Sequence, residues 1–295
     1  MSASEQTRLI GEPSGASVEI ETTGDVFRRF LALPAALVDE CRFKADTDGV
    51  PIKTTDPANV AMVDVRAEAD AFASFETTSE VTAGMDLDCL TSRAANARMG
   101  RTDDEIQAAI DASTTELEVG RTYGETAVRQ RDAWLNIDVD MVREEPNVPA
   151  REEMDREYAR AGPVDPQAFN AAVEGVGRAS DFALVRPESD GLVFTAEKTD
   201  DDGDATDATR VNVETYVDSV ERDEAVSSLL SIDYLTDFAS ALKTARVDDL
   251  TLWVSDDYPL FVQFERTDDG QRLYGGQFML APRLKNGGTI GGDEQ

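Results

Sequence analysis

The side chains that most often carry out covalent chemistry are scarce in this chain and badly spaced for it. Cys41 and Cys89 lie far apart with no C-x-x-C between them, and there is no histidine. A Cys/His zinc site, a Cys-His nucleophile and a Ser-His-Asp triad all need residues that are absent. No G-x-x-x-x-G-K-[ST] loop is present, and Gly175-Val176-Gly177-Arg178-Ala179-Ser180 lacks the last glycine of a dinucleotide fingerprint. The acidic run Thr199 to Asp204 looks at first like a calcium loop. Counted against the twelve-residue pattern, however, its first ligand position is Lys198 and its last Thr209, so it reads as a solvated turn. These absences point away from an enzyme, a metal site or a bound cofactor.

Charge is the outstanding feature: 60 acidic residues against 28 basic ones, a formal net charge of −32. The lysines are few, namely Lys44, Lys53, Lys198, Lys243 and Lys285. The carboxylates are dispersed rather than gathered into one tail, the pattern of a protein working in molar salt. There the Debye length falls to about 3 Å and self-repulsion is screened. An acidic mimic of nucleic acid is the competing reading. The hydrophobic content of 41% argues for packed cores. No apolar run approaches the roughly 18–20 residues that span a bilayer, and the N-terminus lacks signal-peptide character, so an intracellular location is expected.

Four amphipathic windows must position whatever function there is. The first runs from Asp25 to Leu33, with Val26, Phe30 and Leu33 as its stripe and Pro34 closing it. The second is capped by Asp86 or Asp88 and carries Leu87, Leu90, Ala94 and Ala97. Asp165-Pro166 opens the third, striped by Phe169, Val173 and Val176; Ser231 opens the fourth, striped by Leu235, Phe238 and Leu242. Strand-like alternation fills the spaces, including Gly49–Ile52 and Val60–Val65 around Asp56-Pro57, a Leu250–Phe264 hairpin, and a third strand at Gly276–Leu280. The polar segment 142–153, with two prolines, reads as a linker. The division is therefore a loose extension 1–16, a first domain 17–141, the linker 142–153, a second domain 154–284 and a loose tail 285–295. The fold class is α+β, with helices on one face of antiparallel sheets.

Several short segments resemble archaeal sliding clamps of the proliferating cell nuclear antigen family, in the family's order. They are Leu37-Val38-Asp39-Glu40-Cys41, Asp56-Pro57-Ala58-Asn59-Val60, Met85-Asp86-Leu87, Glu145-Pro146-Asn147-Val148-Pro149, Ser231 to Leu235, Asp257-Tyr258-Pro259-Leu260 and Leu280-Ala281-Pro282-Arg283. The resemblance runs from about Ser17 to Leu284. It implies two similar clamp domains, helices lining a hole, sheets outside, and a homotrimeric ring closed head-to-tail. The implied partners are duplex DNA, held topologically by weak contacts, together with DNA polymerase, a clamp loader and other proteins bearing a clamp-binding peptide.

By the same resemblance, Trp134, Leu135 and Ile137 would meet Val211 and Val213 of the next subunit. A peptide carrying a glutamine and aromatics would dock among Asn59, Val60, Val148, Pro149, Pro259, Met279, Ala281 and Pro282. Arg28, Arg29, Arg93, Arg98, Arg178, Lys243 and Arg246 are the expected DNA-facing cations. Two departures weaken that last set: Arg93 stands where an apolar residue is expected, and Glu174 lies on what should be a basic face. The segment 151–162 is unusually charged, and residues 102–134 are hard to align. A divergent relative, virus-encoded or acting to regulate or sequester clamp partners, stays open beside the leading reading.

Overall fold

The computed structural model describes residues 9, 15–96, 104–147, 149–154, 157–199, 205–218 and 226–283. Two compact units divide the chain: residues 1–148 with 265–276, and 149–264 with 277–295. A hairpin near the C-terminus thus lends its tip to the first unit and its base to the second.

In the first unit, β1 (Ser17–Thr23) leads into α1 (Gly24–Leu31). Then come β2 (Glu40–Ala45), β3 (Gly49–Thr55), β4 (Ala61–Glu68), β5 (Ser74–Thr77) and β6 (Val81–Asp86). After α2 (Leu87–Asn96), a meander of β7 (Glu105–Asp111), β8 (Thr114–Tyr123) and β9 (Thr126–Leu135) completes it. Hydrogen bonding orders one antiparallel sheet as β5-β1-β7-β8-β9, while β2 pairs with β6 and β3 with β4.

Local chemistry starts the helices. The Thr23 hydroxyl accepts the Val26 N–H, and Asp86 accepts the Cys89 N–H at 2.6 Å, making Asp86 the cap of α2. The buried stripe of α1 differs from the expected one: Phe27, Phe30 and Leu31 are buried, with Leu33 just beyond the helix, whereas Val26 is half-exposed. An eight-residue helix with apolar side chains at 26, 27, 30 and 31 has two usable stripes, and packing selects the one carrying the larger Phe27. Leu87 and Leu90 are buried as expected; Ala97 lies outside the described residues, as does the side chain of Ala94.

The second unit contains β10 (Ala159–Val164), α3 (Pro166–Val176), β11 (Phe182–Glu188), β12 (Gly191–Thr199), β13 (Ala205–Glu214) and β14 (Val217–Asp218). It continues through β15 (Ser228–Ser231), α4 (Ile232–Ala245) and β16 (Leu250–Val254) to the base of β17 (Leu260–Asp268) and β18 (Gln271–Leu280). One sheet runs β13-β12-β11-β15; in the other, β10 lies between β14 and β16, and β16 pairs with β17.

Asp165 accepts the Gln167 and Ala168 N–H groups at 2.8 and 2.9 Å, with Pro166 in the first helical position, so α3 begins as its sequence dictates. Ser231 makes no side-chain cap; instead the Ile232 N–H donates to the Asp181 carbonyl at 2.9 Å. Arg246 closes α4 in the left-handed region (φ 50°). The predicted stripes of both helices are buried, with Phe238 stacked on Phe278 at 4.3 Å and Phe169 edge-on to Phe194 at 6.0 Å. The calcium-like run lies outside the described residues from Asp200 to Asp204, as do the tail 285–295 and most of residues 1–16.

Candidate functional site

Strand edges are the first feature with a functional consequence. Among the described residues, β9 in the first unit and β13 in the second each have a sheet neighbour on one side only, and each is ten residues long. A long unpaired edge is a template for another chain unless it is blunted. Trp134 is half-buried and Leu135 is 71% exposed at the end of β9. Ile137 lies past the strand, where its N–H donates to the Gly84 carbonyl at 2.9 Å. A Cβ on Gly84 would sit 2.4 Å from the Ile137 carbonyl oxygen, so glycine is needed for this approach. Val211 and Val213 pair across to Phe194 and Leu192, and Val213 is buried; both side chains pack within their own unit. What β13 leaves open is its backbone.

One face of the meander carries a cluster of ion pairs in which Glu116 and Glu118 are themselves buried. Arg129 pairs with Glu105 at 2.9 Å and Glu118 at 3.3 Å, and Arg131 with Glu116 at 3.1 Å and Glu118 at 3.3 Å. Arg121 pairs with Asp104 at 3.0 Å. These cations are occupied within the sheet.

The second feature is the turn between β3 and β4. Asp56, only 3% exposed, accepts N–H bonds from Ala58 at 2.9 Å and from Val60 and Ala61 at 2.7 Å each. Asn59 takes up φ 57°, which asparagine tolerates better than most residues. The Arg143 guanidinium donates to the Asp56 carbonyl at 2.7 Å, fastening the start of the connecting segment to this turn. Beside it lies a cavity of about 720 Å³ lined by Ala36, Leu37, Val38, Thr55, Pro57 and the highly exposed Met141, among others. Among these lining residues, Leu37 and Val38 fall in the clamp-like sequence segment Leu37–Cys41 and Pro57 in Asp56–Val60; no motif marks Ala36 or Met141. Cys41 also lines the cavity; burial first, then Glu145 and Glu40, pushes its thiol up to about 12.

In the second unit, Pro149 is held by the Gln277 side-chain N–H on its carbonyl at 3.1 Å. Met279 is buried, Pro259 and Ala281 are half-buried, Pro282 likewise, and the Arg283 N–H donates to the Leu229 carbonyl at 2.7 Å. Val148 lies outside the described residues. The charged segment after it opens with a short 3-10 turn, Arg151–Glu153, and β10 begins only at Ala159, so among the described residues Arg151, Glu152, Glu153 and Glu157 precede the strand and Arg160 lies within it.

The expected DNA-facing cations separate. Arg29 is a correction: it is 5% exposed and pairs with Asp25 at 2.6 Å, one helical turn earlier, so it offers no free surface charge in this chain. Arg28 is half-exposed; Arg178, Lys243 and Arg246 are exposed, Arg178 just beyond α3 and Arg246 at the cap of α4. Arg98 lies outside the described residues, and so does the side chain of Arg93. Acidic groups share these helices: Glu174 accepts from Asn170 at 2.7 Å, and Asp233 and Asp237 stand on the exposed side of α4. Partial burial, then Asp233, holds Asp237 above the usual carboxylate range. No helix among the described residues is long and apolar enough to cross a membrane.

Comparison with known proteins agrees with this geometry. Residues 18–119 match the family model described as proliferating cell nuclear antigen, N-terminal domain. A DNA polymerase sliding clamp of Natronomonas pharaonis is 29% identical over 267 residues, covering 90% of this chain and 97% of that one. One from Haloarcula marismortui is 28% identical over 266 residues, with the same coverage. Among solved structures, the A. fulgidus clamp bound to the C-terminal region of FEN-1 superposes with a TM-score of 0.70 at 24% identity, covering 91% of this chain and 99% of that one. The Entamoeba histolytica proliferating cellular nuclear antigen gives 0.71 at 14% identity, covering 90% and 99%. The two-unit fold, with four α-helices and antiparallel sheets among the described residues, and relatives similar along nearly the whole length make the chain similar to the sliding clamps of the proliferating cell nuclear antigen family.

Proposed function

We propose that this chain is a DNA sliding clamp that closes as a homotrimeric ring around duplex DNA and tethers DNA polymerase and other replication proteins to it. The observation that carries the reading is the pair of ten-residue strands, β9 in one unit and β13 in the other, that have a neighbour on one side only among the described residues. Two different edges on one chain make a head-to-tail contact, and a head-to-tail contact whose rotation closes gives a ring. Trp134 and Leu135 would flank the paired backbones on one side, with the β13 segment of Val211 and Val213 on the other. The role involves no covalent chemistry and no cofactor.

Arg28, Arg178, Lys243 and Arg246 are the proposed phosphate-facing cations. In molar salt each adds little, because counterion release weakens as salt rises, and topology does the holding. Partner proteins would dock a peptide through aromatic anchors entering apolar pockets, the candidate residues being Asn59 and Val60 in the first unit and Pro149, Pro259, Met279, Ala281 and Pro282 in the second. The similar A. fulgidus clamp has the C-terminal region of FEN-1 bound to it, which supports a partner-binding role here. Polymerase stimulation on primed circular DNA tests the function: longer products in the presence of the protein and a loader support it, and unchanged product length opposes it.

A further inference from the structure

The connecting segment is fastened at both ends by cations drawn from a small stock of 28. At its start, in the first unit, Lys44 pairs with Glu145 at 2.7 Å, Arg42 donates to the Val142 carbonyl at 3.2 Å, and Arg143 donates to the Asp56 carbonyl. At its far end, in the second unit, the Arg151 guanidinium lies 4.2 Å from the centroid of the Trp253 ring. The Trp253 indole N–H donates to Gln263 at 2.8 Å, fixing the ring's orientation, and Arg160 approaches the same ring at 5.9 Å. The short turn behind Arg151 closes on itself: the Glu153 N–H donates to the Ala150 carbonyl at 2.9 Å, and the Glu153 carboxylate accepts the Ala150 N–H at 3.2 Å.

We infer that Arg151 over Trp253 is a latch that fixes the far end of the connecting segment, and that it keeps its hold in molar salt. An ion pair that stays partly open to solvent, such as Lys44–Glu145, weakens when the Debye length falls to about 3 Å. The Arg151 guanidinium also pairs with Glu152 through its Nε at 3.5 Å, a contact that salt weakens. On the face resting against the indole it meets a quadrupole and the ring itself keeps ions away, so added salt has little to screen there. Arg151 is therefore a positioning residue for the peptide-docking segment, and this part of the inference rests on the docking reading given above.

Amide exchange followed by mass spectrometry, in dilute buffer and in molar KCl, tests the latch on the full chain. Arg151→Ala should speed exchange at Ala150, Glu153 and Met154 by about tenfold in both solutions. Trp253→Phe, which keeps a weaker ring, should give a smaller acceleration, and Lys44→Ala should loosen residues 144–147 in dilute buffer only. Unchanged exchange in Arg151→Ala, or acceleration confined to dilute buffer, overturns the latch. Binding of a synthetic peptide carrying a glutamine and two aromatics is measured alongside. Weaker binding by Arg151→Ala in both solutions supports the positioning role, and equal binding overturns it. If the wild-type protein ignores the peptide, the docking reading fails, and the latch is judged on exchange alone.

Discussion

Replacing Asp56 probes the turn that carries Asn59 and Val60. Its carboxylate accepts three backbone N–H groups, and alanine would leave all three without that acceptor. Hydrogen bonds to a charged group contribute about 1.5–3 kcal/mol when buried, and less where water can substitute. Only the bond from Ala61 is fully buried; those from Ala58 and Val60 are partly open. Taking one bond at full strength and two at a fraction of it, Asp56→Ala should destabilise the first unit by about 3 kcal/mol. Asp56→Asn keeps one acceptor oxygen and loses the charge, so about half that loss is expected. Urea unfolding at fixed protein concentration, so that assembly does not shift the midpoint, gives the size of the effect. Amide exchange at residues 58–61 locates it. An alanine variant within about 0.5 kcal/mol of wild type, the range of an ordinary surface substitution, with Ala61 still protected, would refute the reasoning.

Asp46 titrates below its ordinary value because it is hydrogen-bonded to Arg66, with Nη1 to Oδ1 at 2.9 Å. A depressed carboxylate adds stability above its unfolded pKa of 3.8 and loses it as pH falls through the lower folded value. The stability difference between wild type and Arg66→Ala should therefore be constant near neutrality and shrink in acid; a gap that stays constant through the acid range would contradict this. Cys41, buried and with its thiol held up, should resist iodoacetamide in the folded protein while the half-exposed Cys89 reacts; equal labelling of both would argue against the packing described. Dilution into low salt should dissociate the assembly, because unscreened carboxylates repel across its contacts, and light scattering would show the mass falling; an assembly unchanged at low salt refutes that.

What the sequence reveals depends on how local the cause is. The start of α3 is legible because Asp165 and Pro166 act within one turn, and the stripes of α3 and α4 follow from spacing alone. Arg29 reads as a surface cation because its burial depends on tertiary packing that a one-dimensional pattern does not contain. The meander from β7 to β9 is hard to read at its last strand: Glu116-Leu117-Glu118-Val119 keeps a period-two pattern in β8, but Arg129, Gln130, Arg131 and Asp132 are polar on both faces of β9, so no hydrophobic alternation marks it. The Arg151–Trp253 contact joins residues about a hundred positions apart, and no local motif announces it. The Asp56 turn is a middle case: Asp-Pro marks a turn, but the three bonds to one carboxylate appear only in three dimensions.

The ring is tested most directly by the mass of the protein in molar KCl, measured by light scattering. A trimer is expected, three times 32.1 kDa or about 96 kDa, with β9 of one copy paired to β13 of the next. A monomer that joins only a different clamp would point to a regulatory relative, and a 32.1 kDa monomer that finds no partner would contradict the clamp reading altogether.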